Sequence, residues 1–181
     1  MYKHSSESQI TITQLMLPSH SNFSGKIHGG FVLNLMDQIA FACASKHSQH
    51  YCVTASVNRV DFLNPIDVGE LVTLKASVNF TGRTSMVIGV RVESENIQTG
   101  KKKHCNSSYF TMVAKDDTGK NVPVPGLILR TKQDVRRYTR SIARQEHAKN
   151  RSNAFDASEF KVEQHLKSLE QHNVKLDLAT K

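Results

Sequence analysis

Residues 29–44, which read GGFVLNLMDQIAFACA, decide the fold of this chain. The glycine pair marks the entry of a helix, and we expect the helix to end near Ser45 and Lys46. Its apolar residues go almost all the way round, and a soluble helix of that kind is normally buried in a core. Asp37 is the ionisable residue of the stretch, and a buried carboxylate is costly unless it is paired, hydrogen-bonded or used. We therefore expect a sheet wrapped around this helix, with Asp37 as a reactive group.

The length and composition indicate a cytoplasmic protein that does not enter a membrane. The 181 residues suit one domain with an appendage. There is no apolar run of the ~18 residues that would indicate a membrane span, and the N-terminus lacks the apolar core of a signal peptide. The odd set of three cysteines, Cys43, Cys52 and Cys105, indicates buried thiols in a reducing compartment.

The net charge of +8 allows two kinds of interpretation. It can serve solubility, or it can attract a phosphate-rich ligand or nucleic acid. The chain has no Trp and no recognised nucleic-acid motif, so we do not expect a nucleic-acid partner.

The remaining pattern predicts an α+β domain. The turns between the last three predicted strands are too short for helical crossovers, so these strands should form an antiparallel meander. We expect a curved antiparallel sheet with one helix against its concave face. The predicted strands, recognised by alternation and β-branched residues, cover residues 10–15, 51–63, 72–80, 86–92 and 103–115.

The last part of the chain is predicted to be a helical, basic extension. Residues 131–134 look like a helix start, with Val135, Tyr138, Ile142 and Ala143 on one face. A polar linker is expected at 149–157 and a second helix at 158–171. The expected division is therefore a domain at residues 1–130 and an extension at 131–181.

Five sequence pieces, taken together and in order, resemble the hotdog-fold acyl-CoA thioesterases, in particular brain-type acyl-CoA hydrolases and bacterial short-chain acyl-CoA thioesterases. The likeness covers about residues 8–140. The pieces are Gly25-x-x-His28-Gly29-Gly30 followed by Met36-Asp37, then VTASV at 53–57, GRTSM at 82–86, FTMVA at 110–114 and VPVP at 122–125.

The resemblance implies a hotdog fold in which two subunits pair their sheets edge to edge and place sites between the two central helices. The dimer would be the active unit, and dimers would assemble further, commonly as a trimer of dimers. The substrate would be an acyl-CoA thioester. No metal and no cofactor would be required, because coenzyme A enters as part of the substrate.

A thioester hydrolase needs a group that activates water or attacks directly, and donors for the developing oxyanion. Asp37 is the candidate for the first role, as general base or as nucleophile. Gly29 and Gly30 are the candidate donors, because free backbone N–H groups point outward at a helix N-terminus. Asn22 could donate to the thioester carbonyl or position the water, although an Asn in a loop often stabilises its own turn.

Basic and hydroxyl residues should bind the phosphates of coenzyme A. Arg83, Thr84 and Ser85 are the first choice, by resemblance and by their place at a turn, and Arg59 is the second. His28 is a further candidate, although a His beside a glycine pair more often packs or forms a hydrogen bond.

The expected function is hydrolysis of acyl-CoA to free fatty acid and coenzyme A. One alternative is a hotdog enoyl-CoA hydratase, whose paired His and acid motif is not visible. The other is a non-catalytic acyl-CoA-binding sensor or interaction module.

The helix length bears on where the site lies. Asp37 follows Gly29 by eight positions, which is ~12 Å along a helix. One straight helix is then too long to present both groups to one carbonyl. Two antiparallel helices from two chains would do so, with each Asp37 facing the glycine pair of the other chain.

Overall fold

The computed structural model describes residues 1–153, 161 and 173–174. Across residues 1–153 the chain forms eight strands and two α-helices. Short 3-10 turns lie at Ser5–Glu7 and Pro18–His20. The strands are β1 (Tyr2–His4), β2 (Ile10–Leu15), β3 (Tyr51–Val57), β4 (Asp61–Phe62), β5 (Glu70–Thr81), β6 (Ser85–Asn96), β7 (Lys102–Lys115) and β8 (Gly126–Ile128), and the helices are α1 (Gly29–Ser48) and α2 (Lys132–Asn153).

The main sheet is antiparallel, as predicted. Within residues 1–153 its strands lie in the order β2-β5-β6-β7-β3, and β4 also pairs with β7. β5, β6 and β7 follow one another directly, so the predicted meander is confirmed. Their buried residues alternate along each strand, which turns one face of the sheet towards the core.

α1 lies against the concave face, in contact with β2, β3, β5, β6 and β7. Met36, Ile39 and Cys43 on its inner side are at most 1% exposed. The expectation that the helix is buried all round is wrong for the single chain, because Asn34, Gln38 and Phe41 are exposed on its other side. Asp37 is half-buried, between the two sides.

The strand predicted at residues 51–63 is two strands. β3 has a bulge between Thr54 and Ser56, and the chain leaves regular pairing after Val57 before β4 begins. β3 lies at the edge of the main sheet, and residues 54–57 are exposed. A long β-branched run therefore marked the right region but did not reveal where the strand bends.

The N-terminal residues have structure that was not predicted. β1 runs parallel to β8 in a second, two-stranded sheet among the described residues. Lys3 is buried, and its ammonium donates to the backbone carbonyl of His47 at 2.9 Å. Three-residue strands of this kind depend on tertiary pairing, so periodicity does not detect them.

α2 begins where the sequence predicted. Thr131 and Asp134 form a reciprocal cap, since the Asp134 N–H donates to the Thr131 hydroxyl and the Thr131 N–H donates to the Asp134 carboxylate. Tyr138 packs on Phe80 with ring centroids 5.0 Å apart, whereas Val135 is exposed.

The C-terminal predictions have mixed outcomes. Helix α2 continues to Asn153, so the linker predicted from residue 149 is wrong for residues 149–153. The rest of that linker and the helix predicted at 158–171 lie outside the described residues, apart from residue 161. The chain divides into two compact units, residues 1–142 and 143–181. A functional division at residue 130 stays a prediction.

Candidate active site

Asp37 and Thr54 form the most specific polar contact at the edge of the concave face. The Thr54 hydroxyl donates to one Asp37 carboxylate oxygen at 2.7 Å. α1 supplies the carboxylate and β3 supplies the hydroxyl, so the helix is tied to the edge strand at this point. A hydroxyl donor fixes the orientation of the carboxylate and leaves its second oxygen available to a water or a substrate.

The N-terminus of α1 is open. Its N-cap residue, His28, is exposed and makes no side-chain capping bond. Phe31 and Val32 donate their N–H groups to the His28 carbonyl at 3.0 and 3.2 Å. Helix geometry leaves the N–H groups of Gly29 and Gly30 without an intrahelical acceptor. This end of the helix can therefore donate to an oxyanion.

Phe62 lies against this helix entry. A Cβ placed on Gly29 would be 3.1 Å from the ring of Phe62, whereas one placed on Gly30 would be 3.8 Å from its nearest neighbour, in the His28 ring. Gly29 therefore allows β4 to approach the helix closely, and the space beside Gly30 stays open.

Asn22 stabilises its own loop. Its side-chain oxygen accepts from the Ser24 N–H at 3.0 Å, the Ser24 hydroxyl at 2.7 Å and the Lys26 N–H at 3.2 Å. The turn role that the sequence left open is thus present. The amide nitrogen is the part of the side chain that can still donate to a ligand.

The loop that contains Asn22 is held at its C-terminal end by contacts with residues 66 and 67. The Lys26 ammonium donates to the Asp67 carboxylate and holds the pKa of that carboxyl below its usual value. The Ile27 N–H donates to the Ile66 carbonyl at 2.9 Å. These contacts fix the path of the chain into the glycine pair.

Arg83 lies at the turn between β5 and β6, and its side chain is exposed. The turn is closed by the Gly82 N–H, which donates to the Ser85 carbonyl at 2.8 Å. The Arg83 carbonyl accepts from Val124 at 3.0 Å, and the Thr84 carbonyl accepts from Ala114 at 3.0 Å. A groove of about 610 Å³ runs past this turn, and Tyr2, Leu129 and Tyr138 are among the residues that line it.

Register places the Arg83 turn and Arg59 at different ends of β7. Ser85 and Val53 both pair with Val113, so the turn is two strand spacings, ~10 Å, from β3. The Ser108 hydroxyl is 3.4 Å from the Arg59 carbonyl, five residues along β7 from Val113 or roughly 17 Å. One chain thus does not bring its Arg59 and Arg83 together, and the Arg59 guanidinium pairs with Asp61 at 2.7 Å.

Thr54 and Phe62 were missed as site residues. Both lie in stretches that the sequence identified, but their roles depend on how β3 and β4 pack against α1. A hydroxyl in an edge strand and an aromatic residue carry no chemical signal of their own. Their contacts with Asp37 and Gly29 follow from the fold alone.

Metal-binding clusters and membrane-spanning helices are both absent from the part of the chain that the structure describes. Over residues 1–153, 161 and 173–174, no three side chains of His, Cys, Asp or Glu are grouped so that they could hold a metal ion. Over the same residues, no helix is long and apolar enough to cross a membrane.

Comparison with known proteins defines the class. Residues 24–101 match the thioesterase superfamily. Protein VdlD of Helicobacter pylori is 41% identical over 138 residues, which are 76% of this chain and 79% of that one. YkhA of Bacillus subtilis, which is named an acyl-CoA thioester hydrolase, is 34% identical over 145 residues, which are 80% of this chain and 84% of that one. The chain therefore belongs to the thioesterase superfamily, and the predicted hotdog fold and thioester hydrolase class are confirmed.

Solved structures agree. A hexameric acyl-CoA thioesterase superposes with a TM-score of 0.81 at 40% identity, over 83% of this chain and 97% of that one. An acyl-CoA hydrolase from Staphylococcus aureus, solved with butyryl coenzyme A and coenzyme A, superposes with a TM-score of 0.79 at 30% identity, over 94% of this chain and 100% of that one.

Proposed function

We propose that the protein is an acyl-CoA thioesterase that hydrolyses acyl-CoA to free acid and coenzyme A. The observation that carries the proposal is the Asp37 carboxylate, held by Thr54 at 2.7 Å, on a helix whose glycine entry is open to a ligand. Similarity to the S. aureus acyl-CoA hydrolase, which was solved with acyl-CoA, supports the substrate class.

The proposed chemistry uses Asp37 as base or nucleophile. As a base, Asp37 takes a proton from water, the water oxygen bonds to the acyl carbon, and the carbon–sulfur bond breaks. Asp37 then gives its proton to the leaving sulfur, so that coenzyme A is released as the thiol. As a nucleophile, its oxygen bonds to the acyl carbon, and the carbon–sulfur bond breaks to give a mixed anhydride and the thiolate of coenzyme A, which takes a proton from water. A water molecule then hydrolyses the anhydride and regenerates the carboxylate. In both routes the N–H groups of Gly29 and Gly30 stabilise the oxyanion, and Asn22 assists the carbonyl or the water.

The spacing of three residues in the S. aureus enzyme supports the choice of Asn22, Asp37 and Thr54 as site residues. Its solved variants replace an aspartate, an asparagine and a threonine by alanine. In that chain the asparagine, aspartate and threonine follow one another at the same intervals as Asn22, Asp37 and Thr54 do here.

The proposed active unit is a dimer, assembled further as a trimer of dimers. Edge strand β3 is exposed at residues 54–57, and the outer face of α1 exposes Asn34, Gln38 and Phe41. Pairing two copies along this face would cover a sheet edge that natural proteins seldom leave open. The hexameric thioesterase of similar fold supports a homo-oligomer.

In this dimer Asn22, Gly29 and Gly30 come from one subunit and Asp37 from its partner. Arg83, Thr84 and Ser85 are proposed to bind the phosphates of coenzyme A. Arg59 and His28 are weaker candidates: Arg59 is already paired with Asp61, and His28 has no side-chain capping bond at the helix entry.

Thiol release from acyl-CoA esters of short to long chain length tests the activity. Turnover on part of the series is expected. Binding without turnover would instead support an acyl-CoA sensor, and hydration of enoyl-CoA would support a hydratase.

Subunit mixing tests the shared site. Asp37→Asn is exchanged with a second inactive protein that carries Asn22→Ala and Gly30→Pro. Random reassortment should restore up to roughly a quarter of wild-type activity, since about half of the dimers are mixed and each has one intact site. Verified mixed dimers without activity would place the site within one chain.

A further inference from the structure

Asn106 in β7 is a buried amide without a partner. The residue is 0% exposed, and neither its side-chain oxygen nor its side-chain nitrogen has a hydrogen-bond partner. Among the residues that the structure describes, the other buried atom in this condition is the Ser45 hydroxyl oxygen. An unsatisfied polar group in a buried position destabilises the folded state, so an amide in this place calls for an explanation.

Asn106 lies beside the entry of α1. It pairs with Phe62 across β4 and β7, and side chains directly opposite each other in an antiparallel pair lie on the same face of the sheet. The Phe62 ring in turn lies against Gly29. The Asn106 amide is therefore on the concave face, next to the ring that lies against Gly29.

A bulge in β7 lies directly before Asn106. Val92 pairs with Asn106 but the next residue of β6, Glu93, pairs with His104, so Cys105 is the extra residue of the bulge. Bulges re-aim side chains and are frequent beside active sites. The Cys105 thiol has its own partner, the Ser94 hydroxyl at 3.2 Å.

Ser108, on the same strand, differs from Asn106 in having a hydrogen-bond partner. Two positions along β7, Ser108 is also 0% exposed, but its hydroxyl donates to the Asn58 carbonyl at 3.3 Å. The fold therefore satisfies one polar group of this row and leaves the next one, Asn106, with both a donor and an acceptor to offer.

We propose that the Asn106 amide determines specificity by hydrogen-bonding a neutral polar group of the thioester substrate. An uncharged group that both donates and accepts matches a hydroxyl, a ketone or another amide, and favours no full charge. Two parts of the substrate carry such groups: an oxygen on the acyl chain, or an amide of the pantetheine arm. The inference rests on the proposed function and names what its site selects.

The first test measures stability. Asn106→Leu should leave the melting temperature unchanged or raise it, because it removes unsatisfied polar atoms from a buried position. Asn79→Leu is the matched control: Asn79 is 6% exposed, but its side-chain oxygen accepts from the Ser77 hydroxyl at 3.1 Å. The control should lower the melting temperature. An equal loss in both variants would show that Asn106 is already bonded in the resting protein and would overturn the proposal.

The second test measures kcat/KM for butyryl-CoA, 3-hydroxybutyryl-CoA and the butyryl thioester of ethanethiol, which has no pantetheine. If the acyl chain is the source, Asn106→Leu should lose about three- to tenfold on 3-hydroxybutyryl-CoA alone, the scale of one neutral hydrogen bond. If pantetheine is the source, both coenzyme A esters should lose that factor and the ethanethiol ester should not. Asn79→Leu should keep the wild-type ratios.

The same factor on all three substrates, or no change on any, would overturn the role of Asn106. Failure of the proposed function looks different, because the wild type itself would then release no thiol. In that case the dissociation constants of butyryl-CoA, 3-hydroxybutyryl-CoA and the ethanethiol ester are measured for the wild type and for Asn106→Leu. If the ratios between these constants are the same in both proteins, the proposal is again overturned.

Discussion

The two ends of α1 are built differently. The N-terminus is formed by two glycines after an exposed His28 that does not cap the helix. At the C-terminus, Gln49 closes the helix in the left-handed conformation with φ 61°, and the Lys3 ammonium donates to the His47 carbonyl. Side chains therefore form hydrogen bonds with the C-terminal end of α1, whereas the backbone N–H groups at its N-terminal end stay available to a ligand.

The C-terminal end is also bonded to distant parts of the chain. The His47 ring lies between the Ser8 hydroxyl at 3.0 Å and the Pro125 carbonyl at 3.1 Å. Ser48 donates to the Ala44 carbonyl at 3.0 Å. The comparison indicates that the C-terminal end serves stability and the N-terminal end serves the ligand, and changes at each end should separate these effects.

The largest effect is expected from Asp37→Asn. This change keeps the shape of the side chain and a hydrogen bond to Thr54, but removes the base or nucleophile. Turnover of acyl-CoA should fall ~100-fold or more with an unchanged melting temperature. Glu95→Gln is the control, because Glu95 lies near the surface and, among the residues that the structure describes, forms an ion pair with Lys102 alone. Near-normal turnover in Asp37→Asn would refute the assignment.

The next effect is on stability and belongs to the other end. Lys3→Met removes a buried, charged donor from the last turn of α1, where a cation is favoured. The free energy of unfolding should fall by about 1.5–3 kcal/mol, and turnover should not change. Lys75→Met removes an exposed pair with Glu93 and should cost less than about 1 kcal/mol. Urea unfolding compares the two, and equal losses would contradict the special role of Lys3.

Gly30→Ala should separate function from stability within the N-terminal end. The added methyl group meets only the His28 ring, at 3.8 Å, so the fold should tolerate it, and alanine favours the helix. If the substrate approaches the backbone here, turnover should fall about tenfold while the melting temperature holds or rises. Lys46→Ala, at an exposed position in the last turn of the same helix, should leave turnover unchanged and lower the melting temperature only slightly, because it removes a cation from the helix C-terminus. A Gly30→Ala enzyme with full turnover would mean that the glycine serves only the turn.

This comparison also shows what the sequence could reveal. α1 and the meander of β5, β6 and β7 were predictable because their apolar periodicity is long and regular. The apolar residues all round α1 predict a buried helix, yet one chain leaves Phe41 exposed. A pattern that exceeds what one chain buries is the expected mark of an interface, and this is why we propose the dimer there.

The remaining features depend on contacts between distant elements. Asp37 was identifiable as a lone carboxylate in an apolar helix, but its bond to Thr54 requires β3 to pack beside α1. β1 is three residues long and is fixed by pairing with β8. The Asp37–Thr54 hydrogen bond and the pairing of β1 with β8 both join residues that are distant in the sequence, so neither could be predicted from spacing along the chain.

The smallest effect concerns His47 and pH. Burial, with a further contribution from the Lys3 ammonium, lowers the pKa of His47 below its usual value of 6.5. The folded state therefore resists a proton that the unfolded state accepts. The contribution of His47 to stability is complete above pH 6.5 and falls as the pH drops below it, until the folded state also binds the proton.

Urea unfolding between pH 7.5 and pH 5, at roughly half-unit steps, should detect this loss as a slope of at most about 1.4 kcal/mol per pH unit. His47→Gln should be less stable at pH 7.5, because an amide does not reach both Ser8 and Pro125 as the ring does, but its stability should vary less with pH over this range. His50→Gln is the control, since His50 is exposed, and it should keep the wild-type slope. If His47→Gln also keeps that slope, the pH dependence arises elsewhere and the C-terminal end of α1 stabilises the fold through Lys3 and the helix closure alone.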